Sequence, residues 1–124
     1  MNVIIAGSRC FTNYRQLCET LAPNAASITA VISGGASGAD QLGETWARTH
    51  QVPCHRFPAE WQRLGKAAGY YRNRQMAQAG DILVAFWDGV SNGTAHMIQC
   101  MRTLGKPVVV VRIAATADKK ELGM

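Results

Sequence analysis

Five short apolar runs, separated by longer stretches of helical pattern, constrain the fold of this chain more than any other feature. They have the length of strands, and most are rich in β-branched residues. The last two are apolar throughout rather than alternating, which predicts that both of their faces are covered, as in a parallel sheet flanked by helices. The five runs are residues 2–7, 28–33, 53–58, 81–87 and 107–113.

Helical patterns fill most of the intervals between these runs. Alternation of strands and helices through short connections predicts an α/β fold, a three-layer, Rossmann-like, doubly wound parallel sheet of five strands in the order 3-2-1-4-5. Residues 59–66 are expected to form a loop, and Pro23 to lie just past the end of the first helix. The four helical patterns cover residues 12–23, 38–51, 67–80 and 95–105.

The composition is that of one globular domain. The chain has 124 residues, of which 48% are hydrophobic and 17% charged, and this argues against disorder. We predict a single domain over residues 1–113 and a flexible tail over residues 114–124, where no pattern is found. No run is long enough to span a membrane and the N-terminus lacks the layout of a signal peptide, so no membrane partner is expected.

The cysteines indicate the compartment. All four are scattered and none forms a C-x-x-C pair, which is typical of reduced thiols in the cytoplasm rather than of a disulfide framework or a metal site. They are Cys10, Cys18, Cys54 and Cys100. We therefore expect a cytoplasmic protein without a metal ion, and the sequence leaves open whether it forms a homo-oligomer.

The formal net charge of +5 is concentrated in one segment. Residues 56–74 carry five basic side chains and one acid, Glu60. Such a cluster favours an anionic partner, a nucleotide phosphate or a nucleic acid, although a solvated basic face explains the charge equally well. The basic residues are Arg56, Arg63, Lys66, Arg72 and Arg74.

Three loops rich in glycine, serine and asparagine follow the first, second and fourth strands. They are residues 7–11, 34–40 and 88–94. In a doubly wound sheet, ligands bind at the carboxyl ends of the strands near the point where the strand order reverses. Free amides at a glycine-rich turn that opens a helix form an anion site, and missing side chains let a phosphate or ribose approach the main chain. The convergence of the three loops predicts a phosphate-binding pocket rather than tight turns alone.

Standard nucleotide signatures are absent. The chain has no G-x-x-x-x-G-K-[ST] motif and no G-x-G-x-x-G motif after the first strand. The second strand ends in Ser33 rather than in an acid that would hold a dinucleotide ribose. The sequence therefore argues against a P-loop protein and against a classical dehydrogenase.

The helical segments carry four further expectations. Glu44 and Arg48 are spaced for an ion pair within one helix. Asn73 falls on an apolar helix face and must find hydrogen-bond partners. Arg72 and Arg74 flank it on opposite sides, so only one of them is expected to reach a small site. Lys66 opens the same helix, where a cation is poorly placed unless an anion lies nearby; an exposed lysine explains it nearly as well.

Six stretches of the sequence form a recognisable series. They are GSR at 7–9, SGGASGAD at 33–40, FPAEW at 57–61, GKAAGYYRNRQMA at 65–77, GDILVAFWDG at 80–89 and SNGT at 91–94. Taken in order, these motifs resemble the SLOG superfamily, and within it the small YspA-type, cpYpsA-related (YAcAr) proteins. The resemblance covers roughly residues 2–112 and implies a Rossmann-like domain that binds a nucleotide or a nucleotide-derived ligand.

The resemblance and the loops together define the candidate ligand-binding residues. Arg9, at the exit of the first strand, is the strongest candidate for pairing with a phosphate. Asp40 is assigned either to a ribose hydroxyl or to the cap of its helix, and Asp88 either to a ribose or base or to a turn. The full set is Gly7, Ser8, Arg9, Gly34, Gly35, Ala36, Ser37, Gly38, Asp40, Lys66, Arg72, Asn73, Asp88, Ser91, Asn92, Gly93 and Thr94.

The resemblance also bears on catalysis. The LOG phosphoribohydrolases of the superfamily carry a G-G-x-G-T-x-x-E pattern with a catalytic glutamate, and Met97 stands where that glutamate would fall. Without that carboxylate the chain is predicted to be a ligand-binding domain rather than a LOG-type hydrolase. Asp40, Asp88 and His96 are the candidate catalytic residues if it is an enzyme. Trp61 is assigned either to base stacking or to anchoring its loop.

Three functions follow from these observations. The preferred one is binding or sensing of a nucleotide-derived small molecule, with no other cofactor assigned. The second is cleavage of a nucleotide or nucleotide-sugar bond. The third is binding of single-stranded DNA, because GSR, SGGASGAD and RNR are similar to the DprA branch of the superfamily; this function would use Arg9, Lys66, Arg72 and Arg74.

Overall fold

The structure, a computed structural model, describes residues 1–114. Five parallel strands form one sheet in the order β3-β2-β1-β4-β5, which confirms the predicted doubly wound α/β fold. The strands are β1 (Asn2–Gly7), β2 (Ala30–Ser33), β3 (Cys54–Arg56), β4 (Ile82–Trp87) and β5 (Val108–Arg112). The helices are α1 (Tyr14–Leu21), α2 (Ala39–Thr49), α3 (Trp61–Leu64), α4 (Ala68–Ala79) and α5 (Asn92–Thr103), with 3-10 turns at Ala22–Ser27 and Gly65–Ala67.

Hydrophobic side chains fill both faces of the sheet. On one face α1 and α2 pack through Leu17 and Trp46 against Val3 and Ile5. On the other face α4 and α5 bury Met76, Met97 and Met101 against residues of β1 and β4. Alternate residues of β1 therefore face opposite layers, and the three-layer arrangement follows.

Several local predictions need correction. The fifth strand is a sheet edge whose Val109 and Val110 are 42% and 36% exposed, so its apolar sequence does not mean burial on both faces. The segment predicted as loop 59–66 contains α3 and most of a 3-10 turn. Pro23 lies inside the 3-10 turn that continues α1, because proline fits the first positions of a helix.

The predicted ion pair of Glu44 with Arg48 does not form. Glu44 instead binds Arg56 of β3 at 2.6 Å and accepts a hydrogen bond from Ser33, whereas Arg48 donates to Thr45. The predicted tail falls almost wholly outside the described residues, which end at Ala114. Within residues 1–114, no helix combines the length and the apolar character that crossing a membrane requires.

Candidate functional site

A cavity of about 400 Å³ lies at the carboxyl edge of the sheet, between the loops that follow β1 and β4. This is where the strand order reverses, and we call it the switch-point cavity. Its floor is apolar and its rim polar, as is usual for small-molecule sites. The lining residues are Ala6, Gly7, Ser8, Arg9, Cys10, Ala36, Asp40, Arg72, Asn73, Met76, Ser91, Asn92, Gly93, Thr94 and Met97.

Two glycines allow close backbone packing around the end of β1. A Cβ on Gly7 would overlap the carbonyl oxygen of Phe86 in the neighbouring strand, and the next amide, Ser8 N, donates to that same oxygen at 3.0 Å. Gly38 has a φ of +78°, and a Cβ there would overlap the Ser8 carbonyl oxygen. That oxygen also accepts from Ala39 N, the first amide of α2. Gly38 thus packs the second loop on the first and is not among the residues that line the switch-point cavity.

Gly34 makes room for the side chains of Arg72 and Asp40. A Cβ there would lie 2.7 Å from Arg72 Nη1 and 2.9 Å from Asp40 Oδ2. Nη1 donates to the Gly34 carbonyl oxygen at 2.6 Å, and Asp40 Oδ2 accepts from Ala36 N at 3.2 Å. Asp40 is only 6% exposed. Burial raises the pKa of Asp40 to about 6, although the Ala36 amide and the charge of Arg72 lower it.

Arg72 and Asn73 join α4 to the loops on either side. Arg72 Nε donates to Asn73 Oδ1 at 3.1 Å, and Asn73 Nδ2 donates to the Gly93 carbonyl oxygen at 3.3 Å. Asn73 Nδ2 also lies within hydrogen-bond distance of His96 Nδ1, at 3.2 Å. Asn73 is 6% exposed, and the partners that its apolar surroundings require are the Arg72 side chain and two residues of α5. Arg72 binds the second loop through Gly34 and Asn73 binds the start of α5 through Gly93, so the two side chains link the second and third loops.

Asp88 holds the third loop in shape. Its Oδ1 accepts from Val90 N and Ser91 N, both at 2.8 Å, and its Oδ2 accepts from Ser91 Oγ at 3.0 Å. Burial raises the pKa of Asp88, but these hydrogen bonds outweigh it and hold that pKa below its usual value. Asp88 does not line the cavity, and its contacts are those of a turn-forming residue.

The first turn of α5 faces the cavity. Its N-cap residue, Ser91, turns its hydroxyl to Asp88 and to Ser8 Oγ, 3.3 Å away, and makes no side-chain cap to the helix amides. A Cβ on Gly93 would meet no atom within 4 Å, so the space beside this turn is open. An open first turn presents amide donors and the positive end of the helix dipole to the cavity.

The remaining predicted residues lie elsewhere. Lys66 is exposed on the 3-10 turn before α4 and lines neither this cavity nor the one described next. His96 lines a separate groove with Arg74, where its ring lies 4.4 Å from that of Tyr70. Partial burial and the charge of Arg74 lower the pKa of His96. Of the three candidate catalytic residues, only Asp40 faces the switch-point cavity.

A second cavity, of about 320 Å³, adjoins the first. We call it the outer cavity. Gly34, Gly35 and Ser37, which do not line the first cavity, line this one. Arg56, Pro58 and Ala59 were not predicted as ligand-binding residues, although Arg56 ends β3 at the same sheet edge and that position could have identified it. The lining residues are Arg9, Gly34, Gly35, Ala36, Ser37, Arg56, Pro58, Ala59, Trp61 and Arg72.

The apolar floor of the switch-point cavity is not predicted from the sequence. Ala6, Met76 and Met97 are buried and line the switch-point cavity, together with the exposed Cys10. Apolar residues of strands and helices predict a core equally well, so the sequence gives no signal that separates a cavity floor from interior packing. Met97 is the exception, since it lies where the LOG pattern places its glutamate.

Two sequence comparisons identify relatives of this chain. The model of the YspA, cpYpsA-related SLOG family matches residues 1–64. Gene 61 protein of Mycobacterium phage D29 is 34% identical over 116 residues, covering 86% of this chain and 93% of the relative.

Among solved structures, DNA processing protein A from Helicobacter pylori, described for its unique single-stranded DNA binding mode, matches with a TM-score of 0.70. The match covers 99% of this chain and 73% of that one at 19% identity, so it supports the fold.

Proposed function

The chain belongs to the YspA, cpYpsA-related SLOG family, and we propose that its switch-point cavity binds a nucleotide or a nucleotide-derived ligand. One observation carries this proposal. Two arginines, the open first turn of α5 and the Ser8 hydroxyl converge on one cavity that has an apolar floor. Cations and amide donors suit a phosphate, and the apolar floor suits a base or ribose.

Arg9 and Arg72 supply the positive charge. Arg9 is exposed, and neither of the ion pairs found among residues 1–114 includes it. Arg72 is held by Gly34 and Asn73, so its guanidinium is oriented before a ligand arrives. A preorganised cation loses little side-chain entropy on binding, which favours affinity for a phosphate.

Binding is better supported than hydrolysis. Asp40 is the only carboxylate among the lining residues, and its Oδ2 already accepts a hydrogen bond from Ala36 N. Asp88 is engaged within its own loop, and Met97 provides no carboxylate. A glycosidase of the usual kind needs two carboxyl groups that flank the scissile bond. We therefore expect no base release when the protein is incubated with nucleoside monophosphates and the products are separated by chromatography.

The test uses calorimetric titration of the purified protein with AMP, GMP, CMP and UMP. Arg9→Ala should weaken the binding of the preferred nucleotide by about 1.5–3 kcal/mol, the range for a hydrogen bond to a charged group. Arg102→Ala is the matched control. It removes the same charge from an exposed site in the last turn of α5, remote from the cavity, and should leave affinity unchanged. Equal affinity of wild type and Arg9→Ala would refute the role of Arg9, and no binding of any nucleotide would refute the proposal.

Single-stranded DNA is the second candidate. The outer cavity adds Arg56 to the arginines of the first cavity, and the structural neighbour from Helicobacter pylori is described as binding single-stranded DNA. Oligonucleotide binding driven by phosphate contacts loses affinity steeply as salt rises. Titration of a short oligothymidylate at several salt concentrations separates the two candidates. Tight oligonucleotide binding with no mononucleotide binding would favour this second function.

A further inference from the structure

The switch-point cavity and the outer cavity share part of their lining. Arg9, Ala36 and Arg72 line both of them, so these residues lie at the boundary between the two. Ligand cavities in proteins have volumes of about 300–1,000 Å³. The two cavities here, about 400 and 320 Å³, each reach this range separately. Their arrangement suits a ligand with two bulky units and a connection that passes the two arginines.

Trp61 forms one wall of the outer cavity and is unusually open for its size. It is 54% exposed, whereas Trp46 in the core is 1% exposed. One edge of its ring is seated at the start of α4, where a Cβ on Gly69 would lie 3.3 Å from its Cη2 atom. The ring is therefore supported at one edge while much of its surface stays free. A supported, exposed indole is a platform on which a base can stack.

The guanidinium of Arg72 lies next to this platform. Its Nη2 and the Trp61 ring both lie within 4 Å of the position that a Gly69 Cβ would take. Nε and Nη1 are bound to Asn73 and Gly34, whereas Nη2 has no hydrogen-bond acceptor among residues 1–114. Burial lowers the pKa of Arg72, Asp40 raises it and nearby Arg9 lowers it again. An anion between the two arginines would relieve their repulsion.

We infer that the outer cavity is a second base subsite and that the ligand is a phosphate-linked dinucleotide. One nucleoside occupies the switch-point cavity, the linking phosphate lies between Arg9 and Arg72, and the second base stacks on Trp61. This inference rests on the proposed function and specifies its ligand class. The shared chemistry is two nucleosides joined through phosphate, and it occurs both in free dinucleotides and in single-stranded nucleic acid.

The test compares 5′-phosphorylated diadenylate with AMP by calorimetry. Wild type should bind the dinucleotide more tightly than AMP. Trp61→Ala should weaken dinucleotide binding by roughly 5- to 150-fold, the range for stacking one base on an aromatic ring. It should change AMP affinity by less than about twofold, because Trp61 does not line the switch-point cavity. Trp61→Phe should restore most of the loss.

Tyr70→Ala is the matched control. Tyr70 is 47% exposed, but its ring packs at a tilt against His96 and it lines neither cavity, so its removal should leave dinucleotide affinity unchanged. The dinucleotide should also alter tryptophan emission in wild type, and this change should be largely lost in Trp61→Phe.

Two further ligands separate the sources of this chemistry. Diadenosine 5′,5′-diphosphate represents a free pyrophosphate-linked dinucleotide, and oligoadenylate represents a nucleic acid strand. Whichever binds more tightly identifies the source, and Trp61→Ala must weaken it.

Three results would overturn the inference. If Trp61→Ala binds the dinucleotide with unchanged affinity and still binds AMP, the second base subsite is refuted but the proposed function is not. An equal loss for AMP and dinucleotide would show that Trp61 only supports the fold of the first cavity. No binding of either ligand by wild type would refute both proposals together.

Discussion

At the scale of single residues, Asp40 shows how a buried carboxylate beside a cavity lowers the stability of the fold. Its carboxylate is 6% exposed and has one backbone amide donor, and its pKa is raised to about 6. A group whose pKa is raised on folding stabilises the fold most below its unfolded pKa, and this contribution is lost as pH rises through the folded value. The wild-type protein therefore loses stability between about pH 4 and pH 6, as the buried carboxyl ionises.

Asp40→Asn should remove this loss, because asparagine keeps the shape and an oxygen acceptor without the charge. We expect the variant to be more stable than wild type at pH 7.5, by at most about 3 kcal/mol, and the difference to vanish near pH 4. Thermal unfolding followed by circular dichroism across this pH range measures it. A variant that is less stable than wild type at pH 7.5 would show that the charge stabilises the loop.

Glu44, one turn along the same helix, is the control, because folding lowers its pKa whereas it raises that of Asp40. Burial raises its pKa, but hydrogen bonds from Arg56 and Ser33 outweigh this and hold the pKa below its usual value. A lowered pKa contributes stability that is present above the unfolded value and lost as pH falls. Glu44→Gln should therefore be less stable than wild type at pH 7.5, and the deficit should shrink on acidification.

At the scale of elements, the loop between β4 and α5 depends on one carboxylate. Asp88→Ala removes the acceptor for the Val90 and Ser91 amides. We expect a loss of about 0.5–2 kcal/mol in unfolding free energy, the range for losing a cap of this kind, with weaker nucleotide binding because the first turn of α5 is displaced. Chemical denaturation and nucleotide titration measure both effects.

Asp88→Asn distinguishes this structural role in the loop from a catalytic role. The amide keeps an oxygen that can accept from both main-chain donors, so we expect most of the stability and affinity to return. If Asp88 were instead a catalytic acid or base, wild type would show measurable turnover of a nucleotide. The asparagine variant would then fold normally and bind the nucleotide but show no turnover.

Regular elements were predictable from the sequence where burial and periodicity agree. β1 was predicted with its observed bounds, and β4 to within one residue, because both are central strands with buried interiors. β5 was misjudged because a run of valines looks the same at a sheet edge as inside it. α3 is a single helical turn whose four residues bury no side chain, so it has no periodic pattern to detect.

The site was predictable at the level of loops but not of contacts. Glycine-rich turns after parallel strands share one sheet edge, and this placed most of the cavity rim. Which member of a loop faces the cavity depends on packing across loops. Gly38 and Asp88 serve the loops themselves, and the contribution of Arg56 depends on the register of β3.

At the scale of the whole molecule, the cavity joins the two hydrophobic layers. Its rim takes Asp40 from α2, which packs on one face of the sheet, and Arg72 from α4, which packs on the other. If the layers could unfold separately, the contact between Arg72 and Gly34 would break at a fraction of the cost of global unfolding. A preorganised site therefore requires that both layers unfold as one unit.

Core substitutions in either layer test this cooperativity. Leu17 and Met101 are both 0% exposed and lie in opposite layers, so Leu17→Ala and Met101→Ala should each destabilise the protein by about 2–5 kcal/mol. Hydrogen exchange of the backbone amides, measured separately on peptides from α2 and α5, reports the opening of each layer. In a cooperative molecule, Met101→Ala speeds exchange of the slowest amides in α2 as much as in α5, because both exchange through the same global opening. Faster exchange confined to the layer that carries the substitution would show instead that the layers open separately and that the cavity is assembled only when a ligand holds them together.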